Sequence, residues 1–413
     1  MKRVLRPRKK TAMYDIPTFT RLMKKLTDVV VFLCLCINYS FAKDQQIDVA
    51  AKNQLSLDRS NEMVVVPWND LKNIISTLDS ANVFVLDVKS NKELVTQVTN
   101  EDQSRTPKEL IFQSDFKAKE TKQFIVRAMD RGPRNIQSLT DVRFMVPRED
   151  IAWENDRIAH RIYGPALAKE VNNGIDVWTK RVRYLIVKKW YKGDEAPGTE
   201  RISYHEDHGE GADFFDVGRT LGAGSCALYR NDSLYQPGVF TAYKILATGP
   251  LRAVFEVTFM PVQFDGKSIS EVKRISLDAG SNLDKIEVVY TCDSLKRDTV
   301  LFAAGLVKRK GTSSFTEKES ACAGLWGQTN DKEENGALGT GIVMTQNIFK
   351  AFKEDNVHVL VLGNAELNKS MTYYAGAGWT RSGDFRNADD WNKYLKEFSL
   401  RVMSPLEITL EKK

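Results

Sequence analysis

Short apolar segments with a period of two recur along most of the chain, separated by turn residues rather than by helices. The clearest lie at 63–67, 83–88, 93–97, 109–112 and 124–127. After a polar span at 131–139 they resume at 181–190, 239–246, 252–260, 271–277, 285–291, 357–362 and 406–410. Alternation of this kind buries one face of a strand and exposes the other. Asp265-Gly266 and the polar run 278–282 are turn chemistry. Residues 68–78 read as a helical turn or a loop, and one helix is expected over 389–398 with Asn387 as its cap. Strands do not alternate with helices, which argues against Rossmann and TIM architectures. The expectation is an all-β chain: a small N-terminal β-sandwich over 43–140, then a large antiparallel β-sandwich over 141–413.

The first 42 residues read differently. Lys24 and Lys25 precede an apolar run at 29–37, and Ser40, Phe41 and Ala42 supply a cleavage site. This is the pattern of a secretory signal peptide cut near Ala42, too short to span a bilayer. It predicts an exported protein, periplasmic or secreted. The leader holds nine Lys/Arg and two Asp, a net of +7, against +6 for the whole chain. The remainder is therefore near −1, and no basic field argues for nucleic acid. Cys34 and Cys36 leave with the leader, a lipoprotein role for Cys36 being a lesser alternative. Cys226, Cys292 and Cys322 are too few for a disulfide framework, and one pair at most would bridge.

Residues 153–165 read Trp-Glu-Asn-Asp-Arg-Ile-Ala-His-Arg-Ile-Tyr-Gly-Pro. On a strand, Ile158, His160 and Ile162 share one face, while Arg157, Ala159, Arg161 and Tyr163 share the other. Gly164 and Pro165 end it. The cationic, phenolic face suits the wall of an anionic-sugar site. It equally suits a half-exposed strand with solvated arginines.

A second dense stretch, 204–213, contains His205 and His208, two of the chain's four histidines, with Glu206, Glu210 and Asp213. Flanking glycines make it a loop. One histidine suits a general acid or base near neutral pH. Alternatively His205, His208, Glu210 and Asp213 would hold a divalent metal, although no zincin helix motif is present. A solvated polar loop is the third reading. The glycine-rich 218–225 lacks a Gly-Lys-Ser/Thr ending, which argues against nucleotide binding. Arg252, at a turn after Gly249 and Pro250, suits a two-pronged carboxylate clamp or a solvated turn. Tyr374 and Trp379, among small residues at 373–379, suit sugar stacking or core packing. His358 lies in a continuous apolar strand and reads as a core histidine.

Taken together, 153–157, 161–165, 204–206 with Gly209 and Gly211, 249–252 and 373–379 resemble the family of exported bacterial proteins called domain of unknown function 4861. The resemblance implies a galactose-mutarotase-like β-sandwich behind a smaller β-domain. It also implies a place in polysaccharide breakdown by Bacteroidota-like bacteria, where relatives occur beside uronate-polysaccharide lyases and sulfatases and at least one is associated with oligosaccharide dehydration in ulvan degradation. The family pattern more often has a bulky apolar residue at position 160, which argues against catalysis by His160.

The expected chemistry is elimination at C4 of a uronate, giving a 4,5-unsaturated sugar. Arg161, helped by Arg252 or Arg157, would stabilise charge on the substrate carboxylate. His205 or His208 would be the base and Tyr163 the acid, or the reverse. Tyr374 and Trp379 would stack on a neighbouring sugar. No cofactor is required, a divalent metal being the alternative. The partner is a uronate-containing oligosaccharide or polysaccharide. Glycoside hydrolysis, with two carboxyls from Glu154, Asp156, Glu206, Glu210 and Asp213, is a second reading. A non-catalytic carbohydrate-binding or mutarotase-like protein is a third.

Overall fold

Alternating burial along the first strand shows why the N-terminal region folds as a sandwich. In Gln46–Lys52, Ile47, Val49 and Ala51 are fully buried while Asp48 and Ala50 are half-buried. The computed structural model describes residues 46–412 except 101, 104, 105, 129–135, 294–298 and 331. The expected leader, its cleavage point and Cys34 and Cys36 lie outside the described residues.

Gln46–Lys52 is the second strand of a five-stranded sheet ordered Glu407–Lys412, Gln46–Lys52, Thr121–Ala128, Val83–Asp87, Lys92–Leu94. A three-stranded sheet of Arg59–Pro67, Pro107–Phe116 and Thr96–Asn100 shares its core, with Val49, Val64, Phe112 and Phe124 in one cluster. Helix α1, Trp68–Ile74, adds Trp68 and Leu71 to that core. The outermost strand comes from the far end of the chain: Val49 pairs with Leu410 and Ala51 with Ile408. The sandwich expected over 43–140 thus takes one strand from the C-terminus.

The larger part is built on a nine-stranded antiparallel sheet. Its order is Phe240–Thr248, Arg252–Phe259, Lys267–Asp278, Leu283–Thr291, Ser370–Trp379, Ala337–Met344, Cys322–Gln328 and Ser313–Glu317, with Val262–Phe264 paired beside Lys267–Asp278. Two five-stranded sheets pack on one face. One is ordered Ser233–Tyr235, Ala223–Arg230, Thr299–Val307, His358–Glu366, Phe349–Glu354. The other, which carries the site below, is ordered Gly211–Asp213, Ile175–Lys180, Ile158–Ile162, Asp150–Asn155, Thr140–Met145. All three sheets contribute to one core: Phe302 lies 6.3 Å from Tyr373, and Trp153 lies 4.8 Å from Phe255. The protein is all-β, a small sandwich followed by a large antiparallel one.

Two helices complete this part. The segment 181–190, expected as a strand, instead bends and enters helix α2, Val187–Asp194. The cause is tertiary. Buried Glu154 accepts from the backbone N–H groups of Ile186 and Val187 at 2.8–2.9 Å, satisfying donors that a helix start leaves open. Lys180 pairs with the same carboxylate at 2.7 Å, and Trp190 and Tyr191 pack on Trp178. Helix α3, Ala388–Met403, starts where expected, with Asn387 Oδ1 accepting from Asp390 N at 3.0 Å. It covers the opposite face of the nine-stranded sheet: Ile342 enters the main core and its neighbour Val343 the helix cluster. Gly341 permits this approach, since a Cβ there would lie 2.6 Å from Leu395.

Candidate active site

The strand Ile158–Ile162 has the expected alternation but neither face is open. Ile158 and Ile162 join the main core, while Ala159 packs in a cluster with Trp178 and Tyr204. Arg161 is only 6% exposed. Its Nε and Nη2 donate to Asp176 Oδ2 at 2.9 and 2.6 Å, and Nη2 also donates to Asp213 Oδ2 at 3.1 Å. Nη1 donates to the Tyr204 hydroxyl at 3.2 Å. Protein carboxylates therefore occupy the groups expected to hold a substrate carboxylate. In this arrangement Arg161 ties together the side chains that line the site.

Tyr163 is also re-cast. Its hydroxyl donates to Asp176 Oδ2 at 3.1 Å, so its proton is committed inside the protein. Burial and the neighbouring Asp176 push its pKa well above the usual tyrosine value. Arg161 is one cation among three carboxyls, with Asp150 3.8 Å away. Burial, then the charge of Asp176, pushes Asp213 well above the carboxylate range. Burial raises Asp150 to about 6.

This network floors a cavity of about 620 Å³ lined by Arg148, Arg161, Tyr163, Tyr204, His205 and Asp213 among others. That volume is within the range of small-molecule sites. The loop bringing His205 there is closed by Asp213 N donating to the Tyr204 carbonyl at 2.8 Å. Gly211 has a φ of 120°, and a Cβ there would lie 2.0 Å from the Thr179 carbonyl oxygen. Asp207 holds the turn by accepting from Gly209 N at 2.8 Å and Gly211 N at 3.1 Å. The Tyr204 ring stacks on Trp178, and its centroid is 4.5 Å from that of His205. His205 is exposed; its Nδ1 lies 3.2 Å from the Asp213 carbonyl oxygen and 3.5 Å from Oδ2. A carbonyl oxygen can only accept, so this contact places a hydrogen on Nδ1 and leaves Nε2 as the nitrogen turned to a ligand.

Arg148 went unnoticed in the sequence because it lies in a turn, outside any periodic segment. It pairs with Asp194 at 2.6 Å, and its guanidinium carbon lies 5.3 Å from the Tyr204 ring centre. Its side chain is 32% exposed, which leaves donors for a ligand. Tyr204, Asp150 and Asp176 were also unassigned. For Asp176 the one sequence signal is an acid within the otherwise apolar start of Ile175–Lys180.

The proposed metal ligands are not brought together. His208 is exposed, and Glu210 is turned toward Lys189 at 2.7 Å and Trp190 at 3.1 Å. Asp213 is engaged with Arg161. Among the described residues no group of three or more His, Cys, Asp and Glu side chains is placed to hold a metal ion.

Nor do the residues chosen for substrate binding converge on this cavity. Arg157, Arg252 and Tyr374 line a second one of about 590 Å³. Arg252 clamps a carboxylate in two-pronged fashion, but the carboxylate is the protein's own Asp278, at 2.5 and 2.8 Å. Trp379 is 1% exposed and donates to the Asn335 carbonyl at 2.7 Å, so it packs the core and has no face for a sugar. His160 is buried against Trp153, with Nδ1 3.1 Å from the Asp176 carbonyl oxygen. His358 is a core histidine that accepts from Leu221 N at 3.2 Å. Cys226, Cys292 and Cys322 are all free.

Comparison with other proteins finds likeness in sequence and in fold. A protein of Formosa agariphila described as "Uncharacterized protein P7" is 32% identical over 384 residues, covering 88% of this chain and 93% of its own. Among solved structures, a glycosyl hydrolase family 38 protein of Enterococcus faecalis aligns with TM-score 0.43 and 11% identity. An alpha-mannosidase of the same organism aligns with TM-score 0.41 and 8% identity. Each alignment covers 95% of this chain and about half of the other, so the chain spans about half the length of these enzymes. The family model described as Domain of unknown function (DUF4861) matches residues 51–408, and the chain belongs to that family.

Proposed function

We propose that the chain is a carbohydrate-active carbon–oxygen lyase. It eliminates water or a glycosyl group from C4 of a uronate residue in an oligosaccharide, leaving a 4,5-unsaturated uronate. One observation carries the reading: an oriented imidazole and a phenol, His205 and Tyr204, adjoin in a cavity that also contains a partly exposed arginine.

In this mechanism Arg148 binds the uronate carboxylate and stabilises the enediolate-like charge that develops when C5 loses its proton. His205 Nε2 takes that proton, and the C5–H electron pair becomes the C4–C5 double bond. The C4–O bond breaks, and the departing oxygen takes a proton from the Tyr204 hydroxyl. That hydroxyl accepts a hydrogen bond from Arg161, which stabilises the phenolate left behind. Tyr163, whose hydroxyl donates to Asp176, orders the network instead. The signal-like leader supports export, which suits an enzyme of extracellular polysaccharide breakdown.

Glycoside hydrolysis is the second reading. It is favoured by the raised pKa of Asp213 and by Glu170 and Asp216, which line the same cavity. The test incubates the protein with uronate-containing algal and plant oligosaccharides, following ultraviolet absorbance and product mass together. A rising absorbance with loss of one water is the dehydratase outcome, and the same rise with chain cleavage is the lyase outcome. Cleavage with added water and no chromophore would replace the proposal with hydrolysis.

A further inference from the structure

The second cavity has a chemistry of its own. It lies where the bulged start of the strand Arg59–Pro67 at Ser60 and Asn61, the nine-stranded sheet at Tyr374 and helix α3 at Phe398 come together. Arg157 and Tyr163 flank the two ends of the strand Ile158–Ile162. Six residues of extended chain at about 3.3 Å each put the backbones of Arg157 and Tyr163, one in the wall of each cavity, on the order of 20 Å apart. A single sugar ring does not reach both.

Its charges are matched internally. Arg252 holds Asp278 and, at 3.0 Å, Glu109. Arg157 holds Asp384 at 2.5 Å and Asp156 at 3.2 Å. Arg401 holds Glu62 at 3.3 Å, and Lys285 holds Glu287 at 2.9 Å. Each arginine and lysine lining the cavity thus already faces a carboxylate, so the positive charge of the wall is matched by negative charge beside it. A neutral polyol suits such a wall, because each hydroxyl both donates to a carboxylate and accepts from a guanidinium. Beside these polar pairs is an aromatic wall. Tyr374 and Phe398 meet edge-on at 5.1 Å, and Tyr394 lies 6.0 Å from Phe398. Tyr374, Tyr394 and Phe398 are half-buried, leaving ring surface for an apolar sugar face.

We infer that this cavity is a second saccharide site, separate from the one containing His205 and selective for neutral over uronate residues. It stands on its own chemistry and does not depend on the elimination reading. The test is isothermal titration calorimetry of the full chain with xylo-, manno- and gluco-tetraose, and with a tetragalacturonide as the charged control. The expected result is binding of at least one neutral probe, weakened about tenfold or more in Tyr374→Ala. Ser60→Trp, a change at an exposed position that fills the cavity, should weaken it equally without touching the core. His205→Ala should leave the neutral affinity unchanged. The inference is overturned if no neutral probe binds, or if Tyr374→Ala and Ser60→Trp both bind as the parent does. It is equally overturned if neutral binding is lost in His205→Ala, or if the tetragalacturonide binds more tightly and Ser60→Trp abolishes that binding.

Discussion

The Arg161 guanidinium and the Asp176 carboxylate meet through two hydrogen bonds onto one oxygen, Oδ2, at 2.6 and 2.9 Å in the interior. Removing Asp176 takes away two of the hydrogen bonds of a nearly buried guanidinium, leaving it Asp213, and also the acceptor of the Tyr163 hydroxyl. Asp176→Ala should therefore destabilise the protein by about 3–5 kcal/mol, read from its urea unfolding midpoint. Unchanged stability with only a raised KM would instead return Arg161 to the role of substrate clamp.

The Tyr163 hydroxyl donates to Asp176 whereas the Tyr204 hydroxyl accepts from Arg161, which separates them experimentally. Tyr204→Phe should lower kcat by about 10²–10⁴-fold, the range for a lost general acid. Tyr163→Phe should fold normally and lose far less. Rate assays on the substrate found by the product screen decide it, and equal losses would reject the assignment of Tyr204.

Arg148→Gln should raise KM for a uronate substrate by about 10–100-fold, as expected for loss of a charged hydrogen bond. The corresponding uronate methyl ester, which has no carboxylate charge, should be much less affected. A similar penalty on both substrates would place Arg148 outside substrate recognition.

His160 links stability to acid. Burial depresses its pKa to about 4, whereas the unfolded chain binds the proton near 6.5. Its contribution is therefore complete above about pH 6.5 and is lost as pH falls toward 4, by about 3 kcal/mol in all. Asp284, whose carboxyl burial pushes well up, faces its Nε2 at 3.5 Å. In His160→Leu the fall in unfolding free energy between pH 7 and pH 4 should be smaller by roughly that amount. Parallel pH profiles for parent and variant would reject the link.

Trp379→Ala should act on folding. Emptying so large a buried site costs about 3–5 kcal/mol. Denaturation should show that loss, with saccharide affinity per folded molecule unchanged. A loss of affinity at full stability would restore the stacking role.

What was legible in the sequence is what a few neighbouring residues decide. Gly164 and Pro165 end a strand, and the strand Lys267–Asp278 buries every second residue from Ile269 onward. Asn387 caps a helix, and the 204–213 loop does bring His205 and Asp213 together. The internal partners of Arg161, Tyr163 and Trp379 were not legible there. The role of each depends on a partner distant in sequence or on burial, and an arginine facing a substrate reads like one facing Asp213.

The sequence by itself determined the all-β class, the antiparallel strands and the two dense stretches, because period-two burial and turn chemistry are local properties. Tertiary structure alone decided that Glu154 starts helix α2, that the last strand returns to Gln46–Lys52, and that Arg157 and Tyr163 belong to different cavities. These outcomes follow from desolvation. Taken out of water, Arg161, Asp176 and Glu154 had to find partners inside the fold, and those partners fixed which groups remain free for a ligand.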